Sequence, residues 1–149
     1  MTIQNMTDKL ELRELSEAFS ILADLKDAAG QGELFTEDGI LEFRIGWDGE
    51  LQQVEGRETL VKAFEATLHP CKALYHINGQ HQATISEDGL QAEGIAYCQA
   101  MLIQEEDGKD VLTCNSIVYS DLYRKIDGKW YIQRRRSNFL VSEKRIVNE

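Results

Sequence analysis

Residues 73–140 read ALYHINGQHQATISEDGLQAEGIAYCQAMLIQEEDGKDVLTCNSIVYSDLYRKIDGKWYIQRRRSNFL, and this stretch decides the fold. It divides into four runs rich in β-branched and aromatic residues, at about 73–86, 90–104, 111–126 and 129–140. Such runs, bounded by polar turn residues, predict strands. Glu87-Asp88-Gly89, Glu105 to Lys109, and Ile126-Asp127-Gly128-Lys129 each place a glycine where a tight turn needs one. Short turns between long strands predict an antiparallel meander.

Upstream of this stretch the pattern is helical. Leu12, Leu15, Phe19, Leu22 and Ala23 recur at spacings of three and four, which makes an apolar stripe. Thr7 and Asp8 are candidate caps, with Glu11 three residues after Asp8. Gly30 is the expected helix end. Ile40 to Ile45 alternates as a strand, and Asp48-Gly49 predicts a type I′ hairpin returning through Gln52 to Glu55. A second helix is expected over about Arg57 to Leu68, stopped by Pro70. Helices first and strands after is an α+β order. Strands of this length twist, and bulges bend them further. The expected architecture is therefore a curved, mostly antiparallel sheet forming a cone, with the N-terminal helices closing a pocket.

Composition narrows the function classes. The 149 residues suit one domain with its core at about 10–140, and 42% apolar with 28% charged residues is ordinary globular usage. No apolar run is long enough to span a membrane, and residues 1–13 carry no apolar leader segment. Cys71, Cys98 and Cys114 are odd in number and lack paired spacing, which suits reduced thiols and a cytoplasmic protein. A net charge of −10 opposes non-specific nucleic-acid binding. No glycine-rich phosphate loop is present, so no nucleotide cofactor is expected. His69, His76 and His81 do not combine with the cysteines at metal-ligand spacing, so no metal is expected.

Few residues remain that could carry chemistry. Asp24 lies in the apolar segment Ile21-Leu22-Ala23-Asp24-Leu25, and an acid in such a place can serve as a base. His76 begins the first long strand, and histidine is the commonest general acid/base. Strict alternation puts His76, Asn78 and Gln80 on one face and Tyr75, Ile77 and His81 on the other. The more apolar face is not that of His76, so its place at a pocket requires a bulge near Gly79. Arg135 falls opposite Arg134 and Arg136, either to bind a substrate oxygen or to pair across strands.

Several segments together carry a family resemblance. They are Asp24, then Leu34-Phe35-Thr36-Glu37-Asp38-Gly39, then Glu55-Gly56-Arg57, His76-Ile77-Asn78, Tyr119 to Arg124, Asp127 to Ile132, and Arg135. Their order resembles the SnoaL-like proteins of the nuclear transport factor two-like superfamily over about residues 10–140. That group includes scytalone dehydratase, polyketide cyclases, ketosteroid isomerase relatives and small subunits of ring-hydroxylating dioxygenases. The resemblance implies a homodimer packed through the sheet and a cofactor-free lyase or isomerase acting on a hydrophobic small molecule. By position Asp24 and His76 resemble its acid/base pair; in such an enzyme Tyr97, Tyr119 or Arg135 is a candidate oxygen-binding group, and Phe19 a further candidate substrate-binding residue. Related dehydratases carry a tyrosine where this chain has Phe19, which cannot donate a hydrogen bond. The alternatives are a non-catalytic ligand-binding protein and a structural oxygenase subunit.

Overall fold

The computed structural model describes residues 2–147. Helix α1 spans Ile3–Asp24, one turn longer at its start than the sequence predicts. Thr2 is the cap, its hydroxyl accepting from the Asn5 amide at 3.0 Å. Asp8 instead lies buried within the helix, accepting from Trp130 Nε1 at 3.0 Å and Lys125 Nζ at 2.9 Å. The helix also stops earlier than Gly30. Lys26 adopts a left-handed φ of 58°, and a separate short helix α2 runs over Ala28–Glu33. Asp27 caps it by accepting from the Gly30 amide at 2.8 Å. A Cβ on Gly30 would stand 2.6 Å from the Asp27 carboxylate, so glycine permits the cap rather than ending a helix.

Strand β1 (Phe35–Ile45) and short β2 (Gln52–Glu55) precede helix α3 (Arg57–Leu68). Four long strands follow: β3 (Ala73–Ile85), β4 (Gln91–Glu106), β5 (Lys109–Ile126) and β6 (Lys129–Val147). The type I′ geometry appears at Asp107-Gly108 and Asp127-Gly128, where both residues have φ between 50° and 79°. It is absent at Asp48-Gly49, because the β1–β2 link is longer and turns at Gly46, with φ of 72°.

The strands form one sheet in the order β2-β1-β6-β5-β4-β3. All neighbours are antiparallel except β1 and β6, which run parallel. This corrects the expected cone. The sheet is open and mixed, with β2 and β3 as unpaired edges, and it does not close or curl strongly upon itself. Closure needs hydrogen bonds between the two edges. Here β2 has only four residues and pairs with β1 alone. The inner face is covered by helices instead. Phe19 of α1 meets Phe35 of β1 and Phe64 of α3 edge-on, with ring centroids 6.1 and 5.6 Å away. Leu12, Leu60, Tyr123 and Ile132 complete a core between helices and sheet.

Bulges decide which side chains reach that core. Between Asn78 and His81, β3 carries one residue more than β4. Alternation is therefore reset at Gly79-Gln80. His76 and Asn78 face inward before the bulge, and His81 also faces inward after it, with Nε2 3.2 Å from Tyr123 Oη. The expected separation of His76 and His81 onto opposite faces is thus corrected.

Candidate functional site

The site begins at the C-terminal end of α1. The apolar stripe of that helix packs on the sheet, which carries Asp24 against the start of β3. Asp24 Oδ1 lies 2.7 Å from His76 Nδ1, and Asp24 Oδ2 accepts from the His76 backbone amide at 3.1 Å. Two contacts from one carboxylate fix both the strand and the ring. Nδ1 carries the proton shared with the carboxylate, and in the neutral form of the ring Nε2 is then the nitrogen with a lone pair. The His76 side chain is 10% exposed and Asp24 29%. The pair is thus screened from water but not sealed.

His76 lines a cavity of about 380 Å³ between the sheet and the helices. Its walls are Phe19 and Ala23 of α1, Phe64 and Leu68 of α3, Leu41 and Phe43 of β1, and Phe139 of β6. The polar lining residues are Gln31, Thr67, Asn115, Tyr119 and Ser137 besides His76. Among the described residues no Asp, Glu, Lys or Arg lines it. A mostly apolar cavity of this size with a few polar groups is the usual form of a small-molecule site.

The sequence-derived candidates divide around this cavity. His76, Phe19 and Tyr119 line it, and Asp24 is bound to the His76 ring and amide. Tyr119 is buried, and burial pushes its hydroxyl well above the usual tyrosine range, so it stays protonated. Tyr97 does not join them. It is 40% exposed and lies in a shallow depression on the outer face of the sheet, beside Ile77 and Val141. β4 alternates, so Tyr97 points away from Ala96 and Cys98, which are buried inside.

Arg135 lies behind the cavity wall rather than on it. Its side chain is fully buried, and Nε and Nη2 donate to Asp121 at 3.0 and 2.8 Å. Nη2 also donates to Ser16 Oγ at 2.9 Å. The guanidinium carbon stands 3.9 Å from the Tyr119 ring centroid and 4.7 Å from that of Phe19. Burial alone would lower the pKa of Arg135, but the Asp121 carboxylate beside it outweighs this and holds the pKa above its usual value. Of the two roles open to Arg135 in the sequence, the geometry is that of cross-strand pairing, since Asp121 and Arg135 are direct partners on β5 and β6. Arg134 and Arg136 reach Glu42 on the other side, each within 3.2 Å.

Asn115, Gln31 and Ser137 were not among the candidates. Asn115 was legible in principle, since unbroken alternation on β5 places it on the same face as Tyr119 and Asp121. Gln31 was not, because it depends on the short helix α2, which the sequence pattern conceals. Among the described residues no group of three His, Cys, Asp or Glu is placed to hold a metal. No helix among them is long and apolar enough to cross a membrane.

Comparison with known proteins adds to this geometry. The family model described as a SnoaL-like domain matches residues 4–136. No curated protein matches the chain significantly. Among solved structures, a proposed scytalone dehydratase of Novosphingobium aromaticivorans superposes with a TM-score of 0.81 at 19% identity, over 99% of this chain and 94% of that one. Kfla4162 of Kribbella flavida gives 0.80 at 19% identity, over 93% and 95%. Hexachlorocyclohexane dehydrochlorinase LinA-type3 of Novosphingobium barchaimii gives 0.76 at 13% identity, over 96% and 93%. At these identities the likeness is one of fold.

Proposed function

We propose that this chain, which belongs to the SnoaL-like domain family, is a cofactor-free lyase or isomerase that moves a proton on a hydrophobic small molecule. The observation that carries this reading is the Asp24 carboxylate bound to both the ring and the amide of His76 at the wall of an apolar cavity. His76 Nε2 takes the proton, and Asp24 stabilises the positive charge that then forms on the ring. Attraction between the two charges is stronger in a cavity that excludes water. The same ring can return the proton to a neighbouring atom or to a departing group, which gives isomerisation in one case and elimination in the other. The named relatives include a dehydrochlorinase and a proposed dehydratase, both eliminations by name.

Deuterium exchange next to a ketone tests this without the natural substrate. The protein should accelerate exchange at the α-carbon of 2-tetralone in D2O, followed by NMR, above the buffer rate. His76→Ala and Asp24→Asn should each lose at least about a hundredfold, the low end for general acid/base catalysis. Exchange that is equally fast in wild type and His76→Ala refutes the assignment.

The outer face supports a second part of the reading. Ile77 (53%), Val141 (63%) and Tyr97 are exposed together there, around the depression that Tyr97 lines. We assign this face to a homodimer packed sheet to sheet.

A further inference from the structure

The cavity holds a row of three residues on successive strands. His76 of β3 is the direct partner of Ala100 of β4, and Ala100 is the direct partner of Asn115 of β5. All three line the cavity. Neighbouring strands lie about 4.8 Å apart, so the backbones of His76 and Asn115 stand about 10 Å apart. Between them is only the methyl group of Ala100, which is 3% exposed and forms a low floor.

Asn115 Oδ1 accepts from Ser142 Oγ at 2.6 Å, and Ser142 is its partner on β6. The carbonyl end of the amide is thereby used, and Nδ2 is the end left for a bound molecule. Any negative charge that forms on a substrate oxygen must be met by a neutral donor, because no lysine or arginine among the described residues lines the cavity.

We infer that Asn115 is a catalytic residue, donating from Nδ2 to the carbonyl oxygen of an uncharged substrate lying across Ala100. This rests on the acid/base reading of His76. His76 Nε2 takes a proton from the carbon next to the carbonyl. The electron pair of that C–H bond becomes the new carbon–carbon double bond, and the carbonyl π pair moves onto oxygen, where Asn115 holds it. His76 and Asn115 stand on the same face two strands apart, a spacing on the scale of one hydrogen bond of about 2.9 Å, one proton-transfer approach of about 3.3 Å and the short carbonyl unit between them. Substrates are accordingly ketones, esters or thioesters without a charge near the reacting carbon. Ala100 limits how bulky that carbon can be.

The test compares 2-tetralone with tetralin, the same bicycle without the oxygen, by tryptophan fluorescence and calorimetry. Wild-type protein should hold the ketone in preference to the hydrocarbon. Asn115→Leu, and the isosteric Asn115→Asp, should each lose at least tenfold of that preference while tetralin binding stays within twofold. Both variants should also slow His76-dependent exchange by about 10²–10³-fold, the cost of one lost oxyanion donor. Ala100→Val should weaken both molecules together. A ketone preference or an exchange rate unchanged in either Asn115 variant overturns the inference and leaves the His76 reading standing. Carbonyl discrimination without His76-dependent exchange sinks the acid/base reading and with it the catalytic role of Asn115. If neither molecule binds at its solubility limit, the cavity is not such a site and both readings fall.

Discussion

Replacing Asp121 with Ala should cost this fold more than any exposed substitution. Asp121 is 2% exposed and Arg135 is fully buried. The carboxylate accepts two hydrogen bonds from the guanidinium and a third from Tyr123 Oη at 2.7 Å. Asp121→Ala leaves the guanidinium charged, out of water, and held only by Ser16 and two aromatic faces. Removing one partner of a buried ion pair costs about 3–5 kcal/mol. For a domain of this size that lowers Tm by roughly 6–20 °C, at about 2–4 °C per kcal/mol. Tyr123→Phe removes one hydrogen bond to a charged group, so its cost should be about 1.5–3 kcal/mol. The decisive variant is the double replacement Asp121→Leu with Arg135→Met. It removes both charges and keeps most of the volume, so it should be more stable than Asp121→Ala alone. Urea unfolding with a fixed slope measures all three. If Asp121→Ala loses less than about 1 kcal/mol, the salt bridge is not carrying an otherwise uncompensated charge. If the double variant is worse than the single, the pair contributes attraction well beyond its desolvation cost. Either result refutes the reasoning.

His81 gives the fold a pH dependence. Burial lowers its pKa, the nearby Arg135 and Arg13 act in the same sense, and Asp121 and Glu17 oppose them. Its Nε2–H donates to the Tyr123 oxygen, whose own proton goes to Asp121. A histidine lowered in the folded state is protonated first in the unfolded chain. Its contribution is therefore complete above about pH 6.5 and lost as pH falls below that value. Unfolding free energy measured between pH 7.5 and 5.5 should fall, and His81→Asn should flatten the slope; an unchanged slope removes His81 as its source. The outer-face dimer predicts twice the chain mass by light scattering at micromolar concentration. Ile77→Lys with Val141→Lys should halve it, whereas a monomeric wild type would sink the dimer.

The sequence carried the elements well and the closure badly. Strand positions follow from alternation and glycine turns, and both are local. Whether a sheet closes depends on its edges finding each other, and no local signal records which strands become those edges, although the short strand Gln52–Glu55 was itself legible. The face of His76 turned on a single inserted residue at Gly79-Gln80. The need for a bulge was visible, but its phase was not, and that phase also turned His81 inward. Tyr97 failed as a cavity candidate for the opposite reason. Its hydroxyl made it a candidate to bind a substrate oxygen, while the alternation of its own strand, with Ala96 and Cys98 inside, points it outward.

Phe19 connects the stability of this fold to the chemistry proposed for it. A tyrosine there would add a hydroxyl that Phe19 lacks. Phenylalanine instead offers only a ring, with Arg135 against it 4.7 Å from the centroid and Tyr119 edge-on at 6.2 Å. The guanidinium holds both rings from behind, and both rings line the cavity in front. Because Asp121 neutralises Arg135 at 2.8 Å, the pair projects little net field into the site. The ionisable pair at the site is then His76, which lines the cavity, and Asp24 bound to its ring. A substrate oxygen that a tyrosine at position 19 would have met must find its donor elsewhere. On this wall the neutral donors are Tyr119, Ser137 and Asn115. Only Asn115 shares a cross-strand row with His76. With no hydroxyl at Phe19, the donor whose place is tied to His76 by strand register is the amide of Asn115 on β5.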